Sequence, residues 1–214
     1  MSVAALIPAY NEERTVGSVL KTIKESGLCD EIILVSDGST DNTSQVGRNL
    51  GVKVIDIKEN KGKFSAILEG YKCSKSEIIL MLDADLVGLK KEHIEKLIEP
   101  VKKMEADMSI GIFKNGRGAT DLAQKITPFL SGQRALKREV MEKLITYPAD
   151  NYGLEMALTI LSKKEGFKVK MVDLYDLTHV MKEEKRGFFK GSIARLKMYY
   201  DILRVFLKLR FGVY

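Results

Sequence analysis

The sequence predicts an α/β protein in which a mostly parallel central sheet is flanked by helices. Over residues 3–113, short apolar runs alternate with stretches whose apolar residues recur at helical spacing, and the links between them are short. Strand–helix–strand repetition of this kind favours parallel strands joined by right-handed crossovers. Residues 78–82 are five consecutive apolar residues, which is typical of a strand buried on both faces of a parallel sheet.

The first half of the chain is predicted to form five strands, with a helix after each of the first four. The strands are predicted at residues 3–8, 31–36, 52–57, 78–82 and 108–113. The helices are predicted at residues 16–27, 41–50, 66–71 and 93–101. Asp41 or Asn42 is expected to cap the second helix, because such side-chain oxygens accept hydrogen bonds from helix N–H groups.

The second half of the chain has a less regular pattern. A loop is expected at residues 114–118, helices at 121–126, 137–144 and 153–164, a turn at 147–151 and a strand at 168–174. A long amphipathic helix is predicted at residues 188–211. No internal repeat or low-complexity linker occurs, so we expect one domain over residues 1–181 and a helical extension over residues 182–214.

The composition is ordinary for a globular protein of 214 residues, with 45% apolar and 30% charged residues. Cys29 and Cys73 lie far apart without a CxxC motif, so packed thiols in a reducing compartment are expected. Met1 leads directly into a predicted strand, and no run of about eighteen apolar residues occurs. We therefore expect a cytoplasmic protein without a signal peptide or membrane span.

The positive charge is concentrated in the predicted extension. Residues 182–214 hold nine lysines and arginines against three acids, a surplus equal to the net charge of +6 of the whole chain. Their apolar residues form a stripe at helical spacing, which fits a peripheral helix on the anionic inner face of a membrane. The same stripe fits packing on the domain or on a second subunit in a homodimer. No recognisable nucleic-acid-binding fold accompanies the charge, so no nucleic-acid partner is expected.

Two carboxylates, Asp83 and Asp85, follow the buried strand at residues 78–82. Isolated charged groups are rarely buried, so both are expected just beyond the strand's carboxyl end, where open α/β sheets bind ligands. Two such oxygen donors suit Mg²⁺ or Mn²⁺ bridging to a diphosphate. The alternative is a pair of solvated turn residues.

Polar loops also follow the first two predicted strands. The first loop is Pro8-Ala9-Tyr10-Asn11-Glu12-Glu13, and the second is Ser36-Asp37-Gly38-Ser39-Thr40-Asp41-Asn42. Asp37 can accept a hydrogen bond from a base or ribose, and the glycine allows close approach of a ligand. Either loop by itself is also explained as a turn whose polar side chains cap the following helix. A nucleotide site explains three successive polar strand ends better than coincidence does.

Together, these loops and the Leu82-Asp83-Ala84-Asp85 segment resemble the signature of family-2 glycosyltransferases with the GT-A fold, over roughly residues 1–115. In that family the first two loops hold the nucleotide of a nucleotide sugar, and the D-x-D segment carries a divalent metal on the diphosphate. The resemblance implies nucleotide-sugar contacts from Pro8, Ala9, Tyr10, Glu12, Asp37, Gly38, Asp83 and Ala84. It implies that Asp85 binds the metal, Mg²⁺ or Mn²⁺.

The Asn60-Lys61-Gly62-Lys63 segment after the third predicted strand is similar to an N-x-G-K segment of the same family. A glycine lets the backbone approach a phosphate, and a lysine supplies a positive charge. Lys61 or Lys63 is therefore expected to contact the diphosphate. An exposed loop is the alternative.

Three segments of the second half carry a further resemblance: Leu130-Ser131-Gly132-Gln133-Arg134, Asn151-Tyr152-Gly153-Leu154-Glu155 and Thr178-His179. They are similar to segments of the retaining glucosyl-3-phosphoglycerate and mannosyl-3-phosphoglycerate synthases. This resemblance implies that Ser131, Gly132 and Gln133 face the acceptor, that Glu155 lies at the reaction centre with Asp83, and that His179 is a metal ligand. Leu177 and Met181 stand where those synthases have basic and amide groups, so the sequence does not favour phosphoglycerate as acceptor.

Two of these side chains have simpler interpretations. Glu155 near a helix start is also explained by a favourable interaction with the helix dipole. The other histidine, His93, opens a predicted helix beside Lys91 and Glu92 and is expected at the surface.

The sequence therefore predicts a metal-dependent glycosyltransferase that moves a hexose from a UDP- or GDP-sugar to a small or lipid-linked acceptor. Residues 1–181 would form the GT-A catalytic domain, with a nucleotide-sugar half over 1–115 and an acceptor half over 116–181. One alternative is a polyprenyl-phosphate sugar transferase at the membrane surface. Others are a nucleotidyltransferase, whose G-x-G-x-R-x-x-P motif the first loop lacks, and a non-catalytic nucleotide-sugar-binding module.

Overall fold

The computed structural model describes residues 1–115, 129, 131–146 and 153–180. The chain forms two compact units, Met1–Thr178 and His179–Tyr214, and of the second unit only His179 and Val180 are described. The predicted helices at residues 121–126 and 188–211 and the turn at 147–151 lie outside the described residues. Within the described residues, no helix has both the length and the apolar character needed to cross a membrane.

A seven-stranded sheet organises the described part of the chain. Its strands, with labels in chain order, are β1 (Val3–Ala9), β2 (Glu31–Asp37), β3 (Lys53–Ile57), β4 (Ile78–Met81), β6 (Met108–Lys114), β7 (Arg134–Lys137) and β8 (Val169–Tyr175). Their order across the sheet is β3-β2-β1-β4-β7-β6-β8. A separate two-stranded sheet pairs β5 (Leu86–Val87) with β9 (Thr178–His179).

Four of the five strands predicted in the first half, β1 to β4, pair in parallel, as predicted. The fifth, β6, does not pair with them, because β7 lies between β4 and β6. β1 is central to the parallel group: Leu6 pairs with Ile33 of β2 on one side and with Met81 of β4 on the other. β3 extends the sheet beyond β2, also in parallel. Because these strands run the same way, the loops that follow β1, β2 and β4 emerge at one edge of the sheet.

The sequence predicted no strand at residues 134–137, and the structure corrects this. β7 lies between β4 and β6 and is antiparallel to both: Ala135 pairs with Leu80 and with Ser109. β8 then pairs with β6 in parallel. The Arg-Ala-Leu-Lys sequence of β7 lacks β-branched residues and is too short for a period-2 pattern to identify. Its strand conformation is set by its neighbours on both sides.

Six helices are described, and each lies close to its predicted position. They are α1 (Val16–Ser26), α2 (Thr43–Asn49), α3 (Lys63–Lys72), α4 (Lys91–Lys102), α5 (Arg138–Ile145) and α6 (Leu154–Glu165). Gly27 ends α1 in a left-handed conformation with φ of 66°, which a residue without Cβ adopts at little cost. Before α2, the Asp41 carboxylate accepts a hydrogen bond from the Thr43 backbone N–H.

The helices cover both faces of the sheet, so the core has two layers. Apolar residues of α1 and α4 pack on one face, against Val3, Ala5 and Ile7 of β1. Apolar residues of α3, α5 and α6 pack on the other face, against Ala4 and Leu6. Alternate residues of β1 therefore point to opposite layers. This explains why its apolar run is continuous rather than alternating.

The prediction that His93 is a surface residue is wrong. Its side chain is buried on α4, where Nδ1 accepts a hydrogen bond from the Lys90 backbone N–H at 3.2 Å. Nε2 lies 2.9 Å from the carbonyl oxygen of Tyr175 and donates to it, because a carbonyl only accepts. Burial lowers the pKa of His93. His93 lies four residues before the buried Leu97, so the two side chains share the core-facing side of α4.

The expectation of two packed thiols holds for only one of the cysteines. Cys29 is partly buried, and burial raises its pKa to about 12. Cys73 is exposed at the end of α3. Both thiols are free.

Candidate active site

The loops that follow β1 and β2 are joined to each other by hydrogen bonds. The backbone N–H of Asn11 donates to Ser39 Oγ at 3.1 Å, and the Asn11 side-chain oxygen accepts from the Thr40 N–H at 2.8 Å. The Glu12 N–H donates to Thr43 Oγ1 at 2.8 Å. The two loops that the sequence assigned to a nucleotide thus form one continuous surface at the carboxyl edge of the sheet.

The predicted nucleotide-contact residues of the first loop differ in exposure. Ala9 is buried, Pro8 is half-buried and Tyr10 is exposed, with 44% of its surface accessible. Glu12 is half-buried and accepts a hydrogen bond from Thr15 Oγ1 at 3.0 Å. Tyr10 therefore presents an aromatic ring at the rim of the sheet edge, where a base or sugar can pack against it.

Asp37 has an internal structural role in this structure. It is 3% exposed, and its two carboxylate oxygens accept hydrogen bonds from the backbone N–H groups of Lys61 and Gly62, at 2.9 and 2.8 Å. The adjacent Gly38 has φ of 72°, and a Cβ there would lie 2.5 Å from the backbone nitrogen of Asn60. Asp37 and Gly38 thus fix the position of the Lys61–Gly62 backbone. That they contact the nucleotide sugar stays a prediction.

The acidic pair after β4 lies in a group with metal-ligand character. Asp83, Asp85 and His179 are all half-buried, and one potential ligand atom from each lies within 4.8 Å of the others. Asp85 directly precedes β5, and His179 belongs to β9, which pairs with β5. Two carboxylates and an imidazole form a donor set that Mg²⁺ or Mn²⁺ accepts. Buried Ala84 separates the two aspartates.

Lys63 lies between two carboxylates from distant parts of the sequence. Its Nζ is 2.6 Å from Asp83 Oδ1 and 2.7 Å from Glu155 Oε1. Burial opposes the charge on this ammonium group, but the two carboxylates outweigh burial and raise the pKa of Lys63. Lys63 is therefore protonated at neutral pH. Lys61, by contrast, is exposed. That either lysine contacts a diphosphate stays a prediction.

The Ser131-Gly132-Gln133 segment packs directly on this ion pair. Gln133 is fully buried, and its amide accepts from the Asp83 N–H at 3.0 Å and donates to Asp83 Oδ2 at 2.8 Å. Ser131 is also buried, and its Oγ accepts from the Gln133 N–H at 3.3 Å. A Cβ at Gly132 would lie 2.5 Å from Lys63 Nζ and 2.8 Å from Asp83 Oδ2. The predicted acceptor contacts of these three residues stay predictions.

The structure therefore brings together predicted donor-side and acceptor-side residues. Asp83 Oδ1 contacts Lys63, its Oδ2 contacts Gln133, and Lys63 also contacts Glu155 in the first turn of α6. We call Lys63, Asp83, Gln133 and Glu155 the charged cluster. The sequence assigned a role to each member but indicated none of the contacts between them, because the four residues are widely separated along the chain.

One residue next to the charged cluster was missed. Arg134 is fully buried and donates a hydrogen bond to the main-chain carbonyl oxygen of Glu155 at 3.2 Å. From the sequence, Arg134 was only the last residue of the Leu130-Ser131-Gly132-Gln133-Arg134 segment, with no role of its own. An arginine is usually exposed, so nothing local indicated that this one is inside the protein.

Comparison with known proteins identifies the family to which the chain belongs. A family model described as glycosyl transferase family 2 matches residues 4–159. The uncharacterized protein MJ1222 of Methanocaldococcus jannaschii is 33% identical over 193 residues, covering 79% of each chain. The dolichol-phosphate mannosyltransferase of Pyrococcus furiosus is 32% identical over 197 residues, covering 79% of this chain and 54% of that protein. The chain thus spans about half the length of the mannosyltransferase.

Solved structures of glucosyl-3-phosphoglycerate synthase from Mycobacterium tuberculosis have the same architecture. A complex with Mn²⁺, UDP and glucosyl-3-phosphoglycerate superimposes with a TM-score of 0.70 at 25% identity, covering 84% of this chain and 72% of the synthase. A complex with Mg²⁺ and UDP gives the same TM-score. These similarities confirm the α/β GT-A fold and the resemblance read from the sequence motifs. The chain is therefore a glycosyltransferase and belongs to glycosyl transferase family 2.

Proposed function

We propose that this glycosyltransferase moves a hexose from a UDP- or GDP-sugar to a small or lipid-linked acceptor in a reaction that depends on a divalent cation. The observation that carries this proposal is the Asp83, Asp85 and His179 group, whose ligand atoms lie within 4.8 Å of one another. The group stands at the sheet edge where the β1 and β2 loops meet, which is where α/β folds bind nucleotides.

The chemistry of the donor set fits a hard divalent cation. Asp85 and His179 would hold the ion, and a carboxylate–imidazole set suits Mn²⁺ or Mg²⁺. When bound, the cation would act as a Lewis acid that neutralises charge on the departing diphosphate. The presence of Mn²⁺ or Mg²⁺ in complexes of glucosyl-3-phosphoglycerate synthase supports this assignment.

The donor would lie along the joined loops. Tyr10 offers an exposed ring to the base, and Pro8, Ala9 and Glu12 line the same loop. Asp37 and Gly38 shape the Lys61–Gly62 backbone, and Ala84 lies between the two aspartates. Lys61 is exposed after β3, so its side chain can reach a diphosphate. Uridine is supported by the UDP and UDP-glucose complexes of the synthases.

The charged cluster would perform the transfer. Glu155 is assigned to accept the proton of the acceptor hydroxyl, a role that suits a carboxylate held by hydrogen bonds. Lys63 would keep this carboxylate oriented toward Asp83, which contacts the sugar. Ser131, Gly132 and Gln133 line the acceptor side and hold Asp83 in place. Fixed orientation of these groups is what accelerates transfer, because it avoids rearrangement during reaction.

A second candidate is transfer to a polyprenyl phosphate. The dolichol-phosphate mannosyltransferase relative supports it, as does the basic charge of residues 182–214. The phosphoglycerate acceptor of the synthases is less well supported, because Leu177 stands beside Thr178-His179 where a basic or amide group would be needed. Comparing dolichyl phosphate in anionic vesicles with 3-phosphoglycerate as acceptors, each with UDP-glucose and GDP-mannose, would distinguish the two.

Calorimetric titration tests the proposed donor site. UDP or GDP should bind in the presence of MnCl₂, and removal of the metal with EDTA should weaken binding by roughly tenfold or more, because the cation neutralises the diphosphate. The Asp85→Asn variant should lose this metal dependence. Glu95→Gln, on the exposed face of α4, is the matched control and should bind as the wild type does. Absence of metal-dependent binding to either nucleotide in the wild type would refute the proposal.

A further inference from the structure

A buried arginine joins the two sides of the charged cluster. Arg134 begins β7 and is 0% exposed. Its Nε donates to the main-chain carbonyl of Ser131 at 2.9 Å, and one terminal nitrogen, Nη2, donates to the carbonyls of both Phe129 and Glu155. The other terminal nitrogen, Nη1, lies 3.5 Å from the sulfur of Met108. One guanidinium group thus binds main-chain oxygens from two separate segments.

This position is costly for a charged side chain. Removing a guanidinium group from water is unfavourable, and burial lowers the pKa of Arg134 to about 10. An apolar side chain would fill a core strand position without this cost, as Leu136 does two residues later. Packing of β7 therefore does not by itself explain an arginine. The hydrogen bonds of the guanidinium group explain the arginine, because five donors in a fixed plane can hold several carbonyl groups at once.

The carbonyl groups that Arg134 holds lie next to cluster residues. Ser131 is followed by Gly132, which packs against Lys63 and Asp83, and by Gln133, which bonds Asp83. The Glu155 carbonyl belongs to the residue whose carboxylate contacts Lys63. Displacement of either segment would change the distance between the Glu155 carboxylate and Asp83.

We propose that Arg134 is a positioning residue for sugar transfer, which sets the place of Glu155 relative to Asp83 and Gln133 without touching the substrates. This inference rests on the proposed function, because it assigns the geometry that the transfer step needs. Small displacements of reacting groups reduce rates strongly, by about 100-fold for roughly 1 Å. Binding of the donor, which uses the β1 and β2 loops, should depend little on Arg134.

Arg138 provides a matched control on the same part of the fold. It begins α5, donates from Nε to the Ser76 carbonyl at 2.9 Å and from a terminal nitrogen to the Ser74 carbonyl. Its guanidinium also lies over the ring of Tyr71, 4.5 Å from the centroid. Arg138 therefore binds main-chain carbonyls as Arg134 does, but it holds the loop before β4 instead of the charged cluster.

The experiment compares Arg134→Lys and Arg134→Met with Arg138→Lys and Arg138→Met. Manganese-dependent binding of UDP and GDP is measured by calorimetry, and turnover by hydrolysis of UDP-glucose and GDP-mannose. The Arg134 variants should bind nucleotide within about threefold of wild type but lose roughly tenfold or more in kcat. The Arg138 variants should keep kcat within about twofold. Hydrogen exchange should accelerate around residues 131–137 and 154–161 in the Arg134 variants alone.

Three outcomes would overturn the proposal. They are unchanged kcat in both Arg134 variants, an equal loss of kcat in the Arg138 variants, and a loss of nucleotide affinity that parallels the loss of kcat. If one Arg134 variant does not fold, the other variant tests the proposal. If wild-type protein binds neither nucleotide, the proposed function fails. Hydrogen exchange then decides the role of Arg134: acceleration confined to the two segments supports positioning, and acceleration throughout the sheet contradicts it.

Discussion

At the scale of single residues, the contacts of the two Asp83 carboxylate oxygens fix the orientation of one side chain of the candidate active site. One carboxylate oxygen meets Lys63 and the other meets the Gln133 amide. Asp83 therefore has a fixed orientation before any ligand binds. It also belongs, with Asp85 and His179, to the group with metal-ligand character, in which Asp85 and His179 are the predicted metal ligands. The short motif is thus predicted to orient the sugar through Asp83 and to bind the cation through Asp85.

Gly132 provides a test of this close packing. In Gly132→Ala the new methyl group would lie 2.5 Å from Lys63 Nζ and 2.8 Å from Asp83 Oδ2, so the pair must move apart. We expect transferase and donor-hydrolysis rates to fall by roughly tenfold or more, because misplaced catalytic groups lose much of their effect. Steady-state assays with UDP-glucose and GDP-mannose measure this.

The control for this test is Gly153→Ala. A methyl group at Gly153 would lie 3.8 Å from Glu155 Oε2, an ordinary contact distance. Its φ of −61° also suits alanine. The control should keep activity close to that of the wild type. If Gly132→Ala kept the same near-wild-type rate, the close packing at Gly132 would not be needed for transfer.

At the scale of secondary structure elements, one helix contact stabilises the far edge of the sheet. His93 on α4 donates to the Tyr175 carbonyl at the end of β8, and Lys96 on the same helix lies over the Tyr175 ring, 5.1 Å from its centroid. β8 is followed by the short segment that leads to β9. The neutral imidazole of His93 therefore helps to fix where the chain leaves the sheet.

The state of His93 predicts how stability depends on pH. Burial lowers its pKa, so the unfolded chain binds more protons than the folded protein below about pH 6.5, the usual histidine pKa. The contribution of His93 is fully present above that pH and is lost as pH falls through the lowered value. We expect the apoprotein Tm to fall between pH 7 and pH 5, and this fall should be smaller in His93→Gln.

Thermal unfolding of the metal-free protein in EDTA measures this pH dependence. His179→Gln removes the other histidine and serves as the control, because it leaves the α4–β8 contact in place. A pH dependence that is unchanged in His93→Gln and abolished in His179→Gln would show that the buried imidazole is not responsible.

At the scale of the first compact unit, the candidate site connects the predicted nucleotide-sugar half to the predicted acceptor half. Lys63 begins α3, Asp83 follows β4 and Glu155 lies in α6, so three remote segments meet at one ammonium group. β7 strengthens this connection, because it pairs with β4 of one half, begins at Arg134 and directly follows Gln133. The two halves are therefore one continuous sheet.

Lys63→Gln tests whether this ion pair joins the two halves. Removing the ammonium group leaves the carboxylates of Asp83 and Glu155 close together without their cation. Mn²⁺ should then bind the nucleotide-free protein more tightly, by roughly threefold to tenfold, because a nearby positive charge is lost. Turnover should fall by about tenfold or more, because Glu155 is no longer held.

Calorimetric titration with MnCl₂ and donor-hydrolysis assays measure the two effects. Lys72→Gln is the control, because Lys72 pairs with Glu69 on the exposed face of α3 and is expected to alter neither quantity. Weaker Mn²⁺ binding combined with full activity in Lys63→Gln would refute the assigned role of Lys63.

The sequence alone determined the fold class and the family. Both depend on local signals: apolar runs fix the strands, and the motifs beginning at Pro8, Ser36 and Leu82 each lie within a few consecutive residues. Because parallel strands end at one edge, these local motifs also predicted which loops would lie together.

Only the tertiary structure determined which contacts the side chains make. The insertion of β7, the burial of His93 and the contacts of Lys63 and Arg134 all depend on partners remote in sequence. A lysine or arginine is solvated unless the fold brings acceptors to it, and no local pattern records where those acceptors will be. The local sequence therefore specifies which chemical groups reach the edge of the sheet, and the packing of distant segments determines which of them contact one another.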